Sequence, residues 1–394
     1  MKQALRLTAL ILALLILAAC GAQQPAATTA PAGTTEAPII ETTILPTEAG
    51  PSEIRNIIII IGDGMGDAQL DSGELGMGKE YAFRSWQSTH SDTNSLDSAA
   101  QATKITDSAA GGTALSTGTL TINKYLGKDK DGNDLETILD HAKEYGKATG
   151  VVTTDAITGA TPASYSAHCV DREDTQTILY TQVESNVDLL CANKTSEATE
   201  MKSFFEKAGY NYCDMFSNIK NTLSSEKAFW QFNMAGIGAT DKLEKVVPYA
   251  LDFLDKDEDG FVMMIEQAHI DKYCHSNEID GTLLMADSLN NTVEAILAWL
   301  GDRNDTAIII TADHETGALQ VSADTRLASS FSANGNKFFY AYGSENHSDT
   351  PVPVYVYGFV ADFTPYYIDN SQTVIKNISV FKIMLDLLEN PIRE

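Results

Sequence analysis

The sequence predicts an α/β fold, a three-layer sandwich in which helices flank a central, mostly parallel β-sheet. Three observations predict it. Asn56-Ile-Ile-Ile-Ile-Ile61, Gly260-Phe-Val-Met-Met-Ile265 and Thr306-Ala-Ile-Ile-Ile310 are short apolar runs, rich in β-branched residues and too brief for convincing helices. Such runs suit strands covered on both faces. Helical stretches alternate with strands, as the crossovers of a parallel sheet require. Each run also stops at residues able to bind cations: Asp63, Glu266 and Asp313-His314. Strand ends in a parallel sheet converge on one edge, where open α/β sheets place their ligands.

Taken in order, the chain opens with a leader over residues 1–20. Lys2 and Arg6 precede an apolar run from Leu7 to Leu17, too short for a comfortable membrane span and typical of an export signal. Leu17-Ala18-Ala19-Cys20 resembles a bacterial lipobox, so Cys20 is expected to become the lipidated N-terminus. The protein is then exported, bacterial and lipid-anchored, at the cell surface or in the periplasm. Residues 21–52 are rich in Ala, Thr and Pro without periodicity and read as a disordered tether. A single folded domain is expected over 53–394.

Within that domain a strand is expected over 54–61, and Gly62, Gly64 and Gly66 break it into a tight turn. Residues 67–95 read as a polar loop. Thr106-Asp-Ser108-Ala-Ala-Gly-Gly turns into a helix, and 134–146 is an amphipathic helix ended by Gly146. A strand follows over 148–153, and short strands at 187–190 and 211–214 flank a helix at 197–209. Residues 222–242 carry no legible pattern. Helices at 242–254, 279–301 and 372–389 and strands at 260–266, 306–312 and 352–359 complete the chain.

The formal charge is −27 over 394 residues, and −29 once Lys2 and Arg6 leave with residues 1–19. A general nucleic-acid-binding surface is therefore not expected. Cys169, Cys191, Cys213 and Cys274 remain in the domain, and an exported protein permits disulfides among them in any of three pairings. No Cys-x-x-Cys exists to suggest a cysteine zinc site.

Asp271 and His275 are four apart and share one face of a helical turn, a metal-binding spacing. Asp313-His314 stands at a strand end, and His347 lies in a polar loop. Asp63, Glu266 and a hydroxyl suit a harder ion. Together Ile-Gly-Asp63-Gly-Met-Gly, Thr-Asp-Ser108-Ala-Ala-Gly, Ala-Thr161-Pro-Ala-Ser with Arg172, Glu266 with Ile-Asp271-Lys-Tyr-Cys-His275, Thr-Ala-Asp313-His314-Glu-Thr-Gly and the loop bearing His347 resemble the alkaline phosphatase family, in family order over roughly 54–359. The resemblance implies phosphate monoester hydrolysis through a phosphoserine on Ser108, with two zinc ions and one magnesium. It implies that Asp63, Asp313 and His314 hold the zinc that activates Ser108, and that Asp271, His275 and His347 hold a second zinc at the leaving group. Asp63, Thr161 and Glu266 would hold magnesium, with Lys272 beside them, and Arg172 would grip the phosphate through its planar fork. Substrates would be small phosphate monoesters, and a homodimer is an expectation because dimers are common in the family.

The chain departs from the family at Gly159, two before Thr161, where members carry Asp or His near the magnesium shell. Asp255 to Glu266 also satisfies the EF-hand calcium pattern, but residues 260–265 read as strand, so that reading is rejected. Asp129 to Asp134 is expected to be a polar turn. His90, His141, His168 and His269 are expected in structural roles. Two rival functions are a phosphodiesterase or other esterase of the same superfamily, and a non-catalytic metal- or phosphate-binding surface lipoprotein, which would have no need of Ser108.

Overall fold

The computed structural model describes residues 52–96 and 104–393. The leader, Cys20 and the tether up to residue 51 lie outside the described residues.

Ten strands form the central sheet: β1 (Asn56–Gly62), β2 (Gln87–Asp92), β3 (Ala148–Thr153), β4 (Leu189–Asn193), β5 (Tyr210–Cys213), β6 (Lys227–Phe232), β7 (Phe261–Gln267), β8 (Thr306–Thr311), β9 (Val352–Tyr357) and β10 (Val374–Lys376). Their spatial order is β10-β2-β9-β8-β1-β7-β3-β4-β6-β5. Only β9 runs against its two neighbours. The isoleucine strand β1 sits between β7 and β8, parallel to both. Its pleat sends Ile58 and Ile60 into one core and Ile57, Ile59 and Ile61 into another, all fully buried. Each such side chain removed from water is worth roughly 1.5–3 kcal/mol, which explains a continuous rather than alternating apolar run.

Helices supply the outer layers. Leu243–Leu254 and Ile279–Leu300 pack on the Ile58 side, while Ile138–Glu144 and Ile378–Glu389 pack on the Ile57 side. The expected α/β sandwich is therefore present. Register aligns the functional strand ends: Ile61 stands opposite both Glu266 and Thr311, and Glu266 stands opposite Thr153. Asp63 and Asp313 each follow two residues beyond those partners.

Several expectations change. Residues 67–95 are not one loop but a helix (Asp67–Met77), a 3₁₀ turn (Ala82–Ser85) and β2. The helix buries Gln69, Ser72, Gly73 and Gly76 beside a single leucine, Leu70, so no apolar stripe marks it. The illegible 222–242 contains β6, a buried strand. A three-stranded antiparallel sheet (Gln320–Ser322, Ser329–Ala333, Asn336–Ala341) turns at Asn334-Gly335, both with positive φ. Cys169, Cys191, Cys213 and Cys274 are buried, and no disulfide joins them among the described residues. Asp255 to Gly260 ends a helix and turns into β7, with no EF-hand helix after it. Asp129 accepts from the amides of Asp131 and Asn133, as a polar turn should.

Candidate active site

Helix α1 (Ser108–Thr117) presents the candidate nucleophile. Its cap is Asp107, whose Oδ1 accepts from the Ala110 amide at 3.0 Å, satisfying one of the amides that the first turn leaves open. Ser108 is the first helical residue and is buried. The helix thus aims its N-terminal N–H groups and dipole at any anion bound to Ser108. Ser108 Oγ lies 3.1 Å from His314 Nε2.

The first ligand cluster is Asp63, Asp313 and His314, whose ligand atoms lie within 4.8 Å of one another. His314 Nε2 is 3.5 Å from Asp63 Oδ1 and 3.2 Å from Asp313 Oδ2. Both carboxylate atoms are buried without a hydrogen-bond partner among the described residues. The turn after β1 makes this approach possible. Gly64 has φ +72, and a Cβ there would stand 2.8 Å from the Asp271 Cα, so only glycine fits.

Asp271 and His275 come from the short helix His269–His275 after β7, and His347 comes from its loop. Their ligand atoms form a triangle: Asp271 Oδ1 to His275 Nε2 is 3.2 Å, Asp271 Oδ1 to His347 Nε2 is 3.6 Å, and the two Nε2 atoms are 3.1 Å apart. Carbonyls fix both imidazoles. Nδ1 of His275 donates to the Glu345 carbonyl at 2.5 Å, and Nδ1 of His347 to the Thr106 carbonyl at 2.8 Å. A carbonyl only accepts, so in the neutral rings Nδ1 carries the proton and Nε2 keeps its lone pair. Two lone pairs facing each other at that distance repel unless a positive charge, a proton on His275 or a bound cation, lies between them. His314 also falls within 4.8 Å of Asp271 and His347, so the two clusters adjoin.

The resemblance assigns a third group to Thr161, on the helix Ala160–Ser166, with Glu266 and Asp63, and the charge of Glu266 acts on Asp63. Thr161 Oγ1 is buried and has no hydrogen-bond partner among the described residues. Glu266 Oε2 accepts from the Thr153 hydroxyl. Orphaned buried oxygens cost free energy that a cation would recover, and an all-oxygen set suits magnesium.

The electrostatics agree. Burial and then the charges of Asp313, Asp271 and Glu266 push the Asp63 carboxyl well above the usual carboxylate range. Burial, then the charge of Asp155, pushes Glu266 up to about 8. Burial, then the positive charge of His314, pushes His347 down to about 4. The hydrogen bond to Asp271 lifts His275 to about 9. So much buried acid in one place calls for cations.

Arg172 points to this edge. Its Nη1 donates to Asp107 Oδ2 at 3.2 Å, and its Nε makes a longer ion pair with Glu173 at 4.0 Å. Asp107 therefore caps the helix and anchors the arginine beside Ser108. Sequence reasoning missed Thr316. Its hydroxyl donates to Asp271 Oδ1 at 2.5 Å and lies 3.2 Å from His314 Nδ1, orienting one ligand from each cluster. Its place two residues after His314 was the available signal. Lys272, expected beside the third group, pairs with Asp155. The other histidines take different partners: His90 meets Asp67, His141 Glu144, His168 the Leu135 carbonyl and His269 Thr154.

The alkaline phosphatase family profile matches residues 54–200 and 226–380. The chain belongs to the alkaline phosphatase family. Alkaline phosphatase 3 of Bacillus subtilis is 31% identical over 300 residues, which cover 69% of this chain and 63% of that protein. A second Bacillus subtilis member, alkaline phosphatase 4, is matched over 64% of its length, so the chain spans a little under two thirds of these relatives. The alkaline phosphatase of Escherichia coli K12 is 25% identical over 409 residues, 84% of this chain and 86% of the relative. Among solved alkaline phosphatases, that of the Antarctic bacterium TAB5 superposes with a TM-score of 0.74 at 24% identity, covering 86% of this chain and 99% of that one. A variant of the TAB5 enzyme has magnesium bound in its M3 site.

Proposed function

We propose that this chain is an exported, lipid-anchored phosphatase that hydrolyses phosphate monoesters through a phosphoserine on Ser108. The observation that carries the reading is Ser108 itself. It opens a helix and lies 3.1 Å from His314 Nε2, beside two adjoining clusters of carboxylates and imidazoles. A silent metal-binding protein has no need of a buried hydroxyl there.

Asp63, Asp313 and His314 would hold one zinc, and Asp271, His275 and His347 the other. Asp63, Thr161 and Glu266 would hold magnesium. Ions bound there supply Lewis-acid stabilisation of the entering and leaving oxygens of an in-line displacement. The rest falls to the chain. Ser108 Oγ bonds to phosphorus as the ester P–O bond breaks, and water then cleaves the Oγ–P bond to restore the hydroxyl. The first amides of the Ser108 helix face the transferred phosphoryl group. Arg172, held by Asp107, takes its non-bridging oxygens with a planar fork that lysine cannot copy. That clamp favours a dianionic monoester over a diester. The lipid on Cys20 and the 21–52 tether would hold the 53–394 domain outside the cytoplasm, as a monomer or a homodimer.

The test compares wild type and Ser108→Ala, both loaded with zinc and magnesium, on an aryl phosphate monoester and the diester of the same alcohol. The expected result is monoester turnover by wild type that far exceeds diester turnover and is lost in the variant. A variant keeping the full rate with its metals in place would refute the phosphoserine route.

A further inference from the structure

Gly159 stands two residues before Thr161, at the N-cap of the helix that carries it. Its backbone does not explain the glycine, since φ −54 and ψ 148 are open to any residue. Space does. A Cβ at Gly159 would stand 2.7 Å from Asp155 Oδ2 and 3.0 Å from the Ala156 carbonyl. The Asp155 carboxylate and a side chain at 159 compete for one place.

We infer that Asp155 is the carboxylate that completes the magnesium site of this chain, taking the space left at Gly159 and neutralising Lys272. The inference rests on Asp63, Thr161 and Glu266 being the magnesium ligands. Asp155 is firmly held. Its amide donates to Thr153 Oγ1 at 2.8 Å, and the same hydroxyl donates to Glu266 Oε2. Its carbonyl accepts from the Asn193 amide at 2.7 Å. Its Oδ1 takes the ammonium of Lys272, the residue after Asp271.

The charge balance gives this pair its role. The Lys272 ammonium acts on Asp63 and Glu266, the two acids of the proposed site. Alone, a positive charge so placed would oppose a divalent cation. Asp155 cancels it, and its carboxylate stands close enough to Glu266 for its charge to act there; Thr161 Oγ1, the hydroxyl of the proposed set, is buried without a partner among the described residues. The acid at 155 and the glycine at 159 are two halves of one arrangement.

Asp155→Asn keeps the shape and removes the charge. Magnesium is titrated calorimetrically into zinc-loaded protein, and bound zinc is measured by elemental analysis. The variant is expected to bind magnesium roughly tenfold or more weakly, the scale on which lost outer-shell partners act, with zinc content unchanged. Adding Lys272→Met removes the unbalanced ammonium and is expected to recover most of the affinity. Equal magnesium affinity in wild type and Asp155→Asn overturns the inference and leaves the three ligands standing. A double variant as weak as the single one overturns the charge balance. Wild type that binds no magnesium overturns both the inference and the ligand assignment beneath it.

Discussion

In the proposed reading Asp63 serves two metal sites, and Thr316 touches one side chain of each ligand cluster, so both are sharper probes than any single ligand. Asp63 faces His314 with an unpartnered oxygen and shares a buried corner with Glu266. Asp63→Asn is expected to lower zinc and magnesium content together. His347→Ala removes a ligand of the Asp271 cluster and a ring stacked on His314, both zinc ligands in the proposed reading, and is expected to lower zinc alone. Elemental analysis of the two purified variants decides; the same metal profile in both would show that Asp63 is not shared. Thr316 relays between clusters, since its hydroxyl can accept from His314 Nδ1 while donating to Asp271. Thr316→Val is expected to weaken zinc binding roughly 10–100-fold, and Thr316→Ser to restore it, in competition against a chromogenic chelator. If valine binds zinc as tightly as threonine, the relay does not orient the ligands.

The helix opened by Ser108 is placed by close packing against the helix Ala160–Ser166, which carries Thr161. At Gly112 a Cβ would meet Ser164 Oγ at 2.3 Å and Ser164 Cβ at 3.2 Å. Gly112→Ala is therefore expected to destabilise the fold by about 1–3 kcal/mol through overpacking, despite the better helix propensity of alanine. Denaturant unfolding measures it, and a variant as stable as wild type would mean that the two helices can separate freely. Legibility in the sequence follows the same divide between packing and pattern. Strands buried on both faces (Asn56–Gly62, Phe261–Gln267, Thr306–Thr311) could be read because water is excluded from every side chain. Their ends brought Asp63, Glu266, Asp313 and His314 together as expected. The helix Asp67–Met77 could not be read, because glycine, serine and glutamine fill its buried face. The strand Gln87–Asp92 is polar throughout, and gains its place only from pairing with neighbours distant in sequence. The hairpin at Asn334-Gly335 carried a legible turn signal that went unused. Asp107, Asp155 and Thr316 escaped because a partner's identity depends on tertiary contacts that no local spacing encodes.

At the scale of the whole molecule, burying this much acid ties stability to cations and to pH. Without metal, Glu266 in the folded chain titrates at about 8 against a usual 4.5. Between those values the folded state keeps a proton that the unfolded chain has released, so stability falls as pH rises. His275 has the same sign. Lifted from 6.5 to about 9 by Asp271, its contribution is fully present below 6.5 and is lost as pH climbs through 9. Cations bound as proposed would replace those protons as the positive charge facing the carboxylates, so the loaded protein would escape the loss. Stripping the metals with a chelator is therefore expected to lower the melting temperature more at pH 9 than at pH 6. The general repulsion from a formal charge of −27 grows with pH in both forms, and comparing loaded with stripped protein at each pH removes most of it. Paired thermal melts at the two pH values read the difference directly. A gap that is constant or narrows toward pH 9 would mean that the buried carboxyls do not hold protons in the metal-free fold.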